Sequence, residues 1–155
     1  MDKTLVAAAG EHYVAYKLSC LGYLAALVRQ GSPAIDLLAS THDSGHTIGI
    51  QVKTTSDARR WRGRGTERVL SELQFPLSHN AIEQAADSII FCFVDLRSTE
   101  SEIPPDVYIV PDASLLKEYK SVNIRQWSFL RHHRPIARME PYKNEWKPIH
   151  QFPSQ

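Results

Sequence analysis

Cysteine is scarce in this 155-residue sequence: only Cys20 and Cys92. Two are too few for a disulfide framework or a four-thiolate zinc site. Both lie among apolar neighbours, which predicts buried free thiols and a reducing, cytoplasmic setting. Long apolar runs are also missing, since none approaches the ~20 residues that span a bilayer. The opening stretch MDKTLVAAAGEH is broken by Gly10, Glu11 and His12 too early for a secretory leader. A membrane partner is therefore not expected. There is no internal repeat, no low-complexity tract and no glycine-rich phosphate loop of the nucleotide-hydrolase kind. What remains is 43% hydrophobic and 23% charged, ordinary for a soluble globular protein. The length suits one domain over residues 1–155, large enough to bury a core without staples.

The formal net charge of +1 conceals an uneven distribution. Residues 59–68 carry Arg59, Arg60, Arg62, Arg64 and Arg68 against Glu67 alone, with Trp61 among them. Residues 120–155 carry seven lysines and arginines, Arg131 and Arg134 included, against Glu140 and Glu145. These two segments sum to +4 and +5, leaving the rest of the chain at −8. Such a bipolar map suits a molecule that turns one basic face to a polyanion. Arginine forks match phosphate geometry, and an aromatic beside them offers a surface for a base to stack on. Solvated loops are the plainer reading of both runs, and of the Arg131-His132-His133-Arg134 patch.

Along the chain, the spacing predicts a helix over 3–20, stopped at Leu21-Gly22. Strands follow over 23–28, 34–39 and 46–54, with turns at Gln30–Pro33 and His42–Gly45. Residues 56–66 read as a polar loop, and 68–75 as a short strand or an irregular segment. Ser78 suits the cap of a helix over 79–86. The apolar run Ser88–Leu96 is typical of a strand buried on both faces. A strand over 107–110 and a helix opened by Pro111-Asp112 come next. From about 121 the chain turns irregular and basic, with Trp127, Phe129 and Leu130 as core candidates and a short helix near 143–146. This order predicts an α/β fold with a mixed central β-sheet flanked by helices.

Three segments concentrate chemistry. On a helical wheel Glu11 shares its face with Thr4, Ala7, Ala8, Val14, Ala15 and Leu18, a carboxylate amid an apolar stripe. A buried carboxylate must find a cation, a metal or a proton. Gly10 beside it would let the helix approach a sheet closely. Asp36 is the only charge in Ala34–Ala39, and Asp is a poor strand former. In the next strand Ile48, Ile50 and Val52 share one face, while Gly49, Gln51 and Lys53 share the other. If a hairpin pairs the two strands, Asp36 lies beside Gln51 and Lys53, and the helix could bring Glu11 over that face. Carboxylate and amide oxygens with room for water are what Mg²⁺ uses. A lysine beside such a site can orient the attacking water or assist its deprotonation. The competing reading is a buried ion pair of Glu11 or Asp36 with Lys53, which predicts no metal dependence. His42 and His46 read as exposed loop histidines, His12 as a rim residue, and the two cysteines as packing rather than nucleophiles.

The string Gly10-Glu11…Ile35-Asp36…Gln51-Val52-Lys53-Thr54 resembles the core of the PD-(D/E)XK nuclease superfamily, in its Gln-X-Lys, resolvase-like or homing-endonuclease-like form. The resemblance implies a restriction-endonuclease-like core and a divalent-metal-dependent DNA endonuclease. It implies that Glu11, Asp36 and Gln51 bind Mg²⁺, with Mn²⁺ able to substitute, and that Lys53 helps activate the attacking water. Products would carry 5′-phosphate and 3′-hydroxyl ends, and a homodimer or higher homo-oligomer is the family-level expectation. Two departures stand out: Ile35 precedes Asp36, with the proline displaced to Pro33, and Gln51 replaces the acidic member. That lowers the negative charge of the site, so a non-catalytic nucleic-acid-binding relative is the alternative. An RNA-directed nuclease is a third reading that charge alone does not separate.

Overall fold

The computed structural model describes residues 2–28, 35–42, 46–77, 89–97, 102–111, 127–129 and 139–151. The expected helices over 79–86 and after Asp112 lie outside the described residues, as do Arg131, His132, His133 and Arg134. The first element is α1 (Lys3–Cys20). Asp2 caps it, accepting the Thr4 N–H at 2.8 Å and the Leu5 N–H at 3.3 Å, which satisfies two of the orphan donors of the first turn. Gly22, at φ +88°, supplies the left-handed residue that ends it.

Strands β1 (Tyr23–Leu27), β2 (Leu37–Thr41) and β3 (Thr47–Thr55) form an antiparallel meander. β4 (Arg59–Arg62) and β5 (Val69–Phe75) make a separate hairpin, with a short 3₁₀ turn over Gly65–Glu67. β6 (Ile89–Asp95) returns to the first sheet and pairs parallel with β3, so the chain between them is a crossover connection. β7 (Asp106–Val110) pairs antiparallel with β6. The central sheet is therefore five-stranded and mixed, in the order β1-β2-β3-β6-β7. β8 (Trp127–Phe129) joins β5 in a second sheet of order β4-β5-β8. A 3₁₀ turn (Glu140–Tyr142) and a one-turn helix α2 (Lys147–His150) close the described chain.

Every residue of β6 is buried, because the strand is central and covered on both faces. On one face Ile50, Val52, Ile90, Cys92 and Val94 pack against Val14 and Leu18 of α1. On the other, Ile89, Phe91 and Phe93 meet Leu73, Phe75 and Leu77 from the second sheet and its exit. Helices and a small sheet thus enclose a mixed central sheet, the α/β architecture expected.

Several boundaries differ from the sequence reading, each for a physical reason. The strand expected over 34–39 begins at Leu37, leaving Asp36 at its entrance. The polar loop over 56–66 contains a strand, because Arg59–Arg62 finds a ladder partner in β5. The short helix expected near 143–146 is replaced by helical turns on either side of it, and Lys143 instead bridges to Tyr108 beside β7. Cys20 is exposed at the end of α1, whereas Cys92 is buried as expected. Burial pushes the Cys92 thiol up to about 12, so it is inert at neutral pH.

Candidate active-site cleft

The cleft is built where two strands part. The β2–β3 ladder runs from Ser40↔Thr47 to Leu37↔Ile50, and the Asp36 N–H extends it by donating to Ile50 O at 2.9 Å. Beyond that point β3 continues to Thr55 with β6 on its other side and without a β2 partner. The next β3 donor on the opened side, the Val52 N–H, is taken by Asp36 Oδ2 at 2.7 Å. A poor strand former at the strand entrance thus replaces a missing ladder bond with its side chain.

α1 reaches the same place from the sheet face on which Ile50 and Val52 point. Its buried stripe is Val6, Gly10, Val14 and Leu18. Glu11 is half-buried on the flank of that stripe rather than in its middle, which corrects the helical-wheel reading. Gly10 is the point of closest approach, where any β-carbon would run into the Thr54 side chain. Lys3, Ala7 and Glu11, four residues apart along α1, line one wall of the cleft.

Lys53 belongs to the other pleat. It sits in register with Phe93, and Gln51 with Phe91, on the face opposite α1. The helix therefore does not cover the Gln51–Lys53 face, contrary to the sequence expectation. Glu11 and Lys53 share the cleft because it opens past the end of β2, where both sides of β3 are reachable. Glu11, Asp36 and Lys53 all line this cavity of about 800 Å³, together with Thr54, Ser56, Arg60 and Gln74. Gln51, 2% exposed, lies deeper on the Lys53 pleat and is not in the cleft wall.

Burial lowers the protonation range of the Lys53 ammonium, and the Asp36 and Glu11 carboxylates pull it partly back up. A lysine held this way carries its charge less firmly than a surface lysine and gives up a proton more readily. The two carboxylates that line the cleft, Glu11 and Asp36, are oxygen donors that could hold Mg²⁺ or Mn²⁺ rather than a thiolate or imidazole metal, whereas Gln51 lies outside the cleft wall. Among the described residues no group of three or more His, Cys, Asp or Glu side chains is placed to hold a metal ion.

The basic segment is a hairpin beside this cleft. Arg59 is drawn inward: its Nε bonds Asp57 Oδ1 at 3.1 Å and its side chain is 12% exposed. Arg60 lines the cleft. Arg62, Arg64 and Arg68 are exposed on the hairpin, and Arg68 stacks over the Trp61 ring at 5.9 Å. Trp61 is 46% exposed, leaving ring surface for a ligand. His42 and His46 are exposed as expected, and His12 is exposed on α1 and does not line the cleft. Sequence reasoning missed Gln74 and Lys3 as cleft residues. The one signal for Gln74 was a polar side chain between Leu73 and Phe75.

No family model matches the chain, and no curated protein matches it in sequence. Among solved structures its fold is similar to that of a bacterial homing endonuclease, I-Ssp6803I. The TM-score is 0.58 at 13% identity, over 97% of this chain and 92% of that one. The likeness is one of fold. It extends over nearly the whole of both chains, so the small second sheet and the central sheet are compared together. No helix among the described residues is long and apolar enough to cross a membrane.

Proposed function

We propose that the protein is a divalent-metal-dependent DNA endonuclease that works in the manner of the PD-(D/E)XK superfamily. The observation that carries this reading is the meeting of Glu11, Asp36 and Lys53 in one cleft, flanked by an arginine-rich hairpin. Glu11 and Asp36 would hold Mg²⁺ or Mn²⁺, with the Gln51 carbonyl behind them. The bound cation would supply positive charge to polarise the scissile phosphate. Asp36 is fixed for that task by its bond to the β3 backbone. Lys53 would orient the attacking water and, in its neutral amine form, would accept its proton, a form that burial makes more accessible. The exposed arginines of the hairpin hold the DNA backbone by charge, without reading sequence. The likeness in fold to a homing endonuclease agrees with this reading.

One observation favours a second reading, a non-catalytic DNA-binding relative: the position of a third acidic ligand is taken by Gln51, buried away from the cleft wall. A cleavage assay separates the two. Supercoiled plasmid, single-stranded DNA, a four-way junction and RNA are each incubated with Mg²⁺ and with Mn²⁺. Cutting of DNA that is lost in Asp36→Asn and in Lys53→Ala is the expected result. Salt-sensitive DNA binding with no cutting of any substrate would select the non-catalytic relative.

A further inference from the structure

Arg59 and Arg60 are neighbours, yet their charges meet different fates. The Arg59 guanidinium lies against the Asp57 carboxylate, with Nε at 3.1 Å from Oδ1 and Nη2 at 3.4 Å from Oδ2, which cancels its charge. Arg60 is exposed and held by neutral acceptors. Its Nε donates to Gln74 Oε1 at 3.0 Å, and its Nη1 to the carbonyls of Asp57 at 2.9 Å and Arg59 at 3.1 Å. Among the described residues its Nη2 makes no hydrogen bond. The Asp57 carboxylate also feels the Arg60 charge but is bonded to Arg59. The Arg60 guanidinium, hydrogen-bonded among the described residues to neutral acceptors alone, therefore keeps charge to offer an anion. Its side-chain freedom is already reduced, which lowers the entropic cost of binding one.

The hairpin explains how it is held. Arg60 stands opposite Glu72, and Gln74 is two residues further along the same face of β5, within diagonal reach. Leu73 and Phe75 on either side of Gln74 are buried in the core, which anchors the strand that carries the amide. A bulge follows between Arg60 and Trp61, and bulges re-aim the side chains beside them. Arg60 and Gln74 line the same cleft as Glu11, Asp36 and Lys53, whereas Arg62, Arg64 and Arg68 do not.

Resting on the nuclease reading above, we infer that Arg60 grips a phosphate of the strand being cut, at the cleft itself, and that Gln74 is its positioning residue. Negative charge spreads over the non-bridging oxygens as a phosphodiester is attacked, and a fixed guanidinium there stabilises it. The arginines of the hairpin then divide their labour: Arg60 serves turnover, and those outside the cleft serve affinity.

The test measures Mn²⁺-dependent nicking of supercoiled plasmid, together with binding of a 30-bp duplex across a salt series without metal. Arg60→Ala and Gln74→Glu are expected to lower kcat about 100-fold with little change in KM. Gln74→Glu is informative because it leaves the guanidinium in place and cancels its charge. Arg64→Ala is expected to raise KM instead. Arg60→Lys, which keeps the charge without the fork, is expected to recover part of the rate and covers the case of an Arg60→Ala protein that melts low. Wild-type kcat in both Arg60→Ala and Gln74→Glu, with Asp36→Asn inactive, would overturn the inference and leave the nuclease reading standing. If the wild-type protein does not cut, the nuclease reading falls and the salt slope decides. A slope reduced by about 0.9 in both variants, the share of one phosphate, retains a phosphate-gripping Arg60. An unchanged slope, or no DNA binding at all, removes it.

Discussion

The Asp36 carboxylate accepts the Val52 N–H at 2.7 Å and also faces the cleft, so structure and proposed chemistry are joined in one side chain. Different substitutions pull them apart. Asp36→Ala leaves the Val52 N–H without its acceptor, which costs about 1–3 kcal/mol for a buried donor. Asp36→Asn keeps a carbonyl oxygen for that bond while removing the negative charge. Urea unfolding should therefore find the Asn variant close to wild type and the Ala variant weaker by that amount, with both unable to cut DNA. Equal stability of the two variants would mean that the Val52 bond contributes nothing. At the same scale Arg59 shows why a run of like residues cannot be read as one patch: its carboxylate partner is two residues away, and only the turn at 56–58 brings them together.

Gly10 marks the place where α1 meets β3, and its lack of a side chain sets how closely Glu11 comes to the site. A β-carbon there would overlap the Thr54 side chain. Gly10→Ala should destabilise by about 1–3 kcal/mol through overpacking, and the displaced helix should lower cleavage further than that loss of stability accounts for. Thr54 Oγ1 is buried without a hydrogen-bond partner among the described residues, so Thr54→Ala alone should be nearly neutral. The Gly10→Ala/Thr54→Ala double variant should recover part of both losses, as contacting residues couple in a double-mutant cycle. Strict additivity would show that the two do not meet. The helix, the meander and the buried β6 strand were legible in the sequence because periodicity and burial coincide in them. The β4 strand was not, because three arginines and a tryptophan carry no period and take their strand form from β5. The face covered by α1 was not legible either. Amphipathic period says that Ile50 and Lys53 lie on opposite faces, but which face receives the helix is a tertiary fact, as is the parting of β2 and β3 that lets Glu11 and Lys53 meet.

At the scale of the whole molecule, the cleft can be tested without knowing which DNA is cut. Glu11 and Asp36 face one cavity with Lys53 between their influences, and two explanations compete for that arrangement. If the three form only an ion-paired cluster, Mg²⁺ has nothing to bind and the melting temperature should not respond to it. If the carboxylates are a cation site, the native state gains free energy by linkage, about 2.7 kcal/mol at 100 times the dissociation constant. For a chain of this size that is a rise of about 5–10 °C. The expected result is a melting temperature that climbs with Mg²⁺ or Mn²⁺ and falls back with EDTA. Asp36→Asn and Glu11→Gln should flatten the response, because each removes half of the charged donor set while leaving the fold in place. Arg64→Ala should leave it intact, since Arg64 lies outside the cleft wall. A flat titration for the wild-type protein would select the ion-paired cluster, and with it the DNA-binding relative that does not cut. A metal response that survives both carboxylate variants would move the cation elsewhere in the molecule and leave Lys53 without the partner that the proposed chemistry requires.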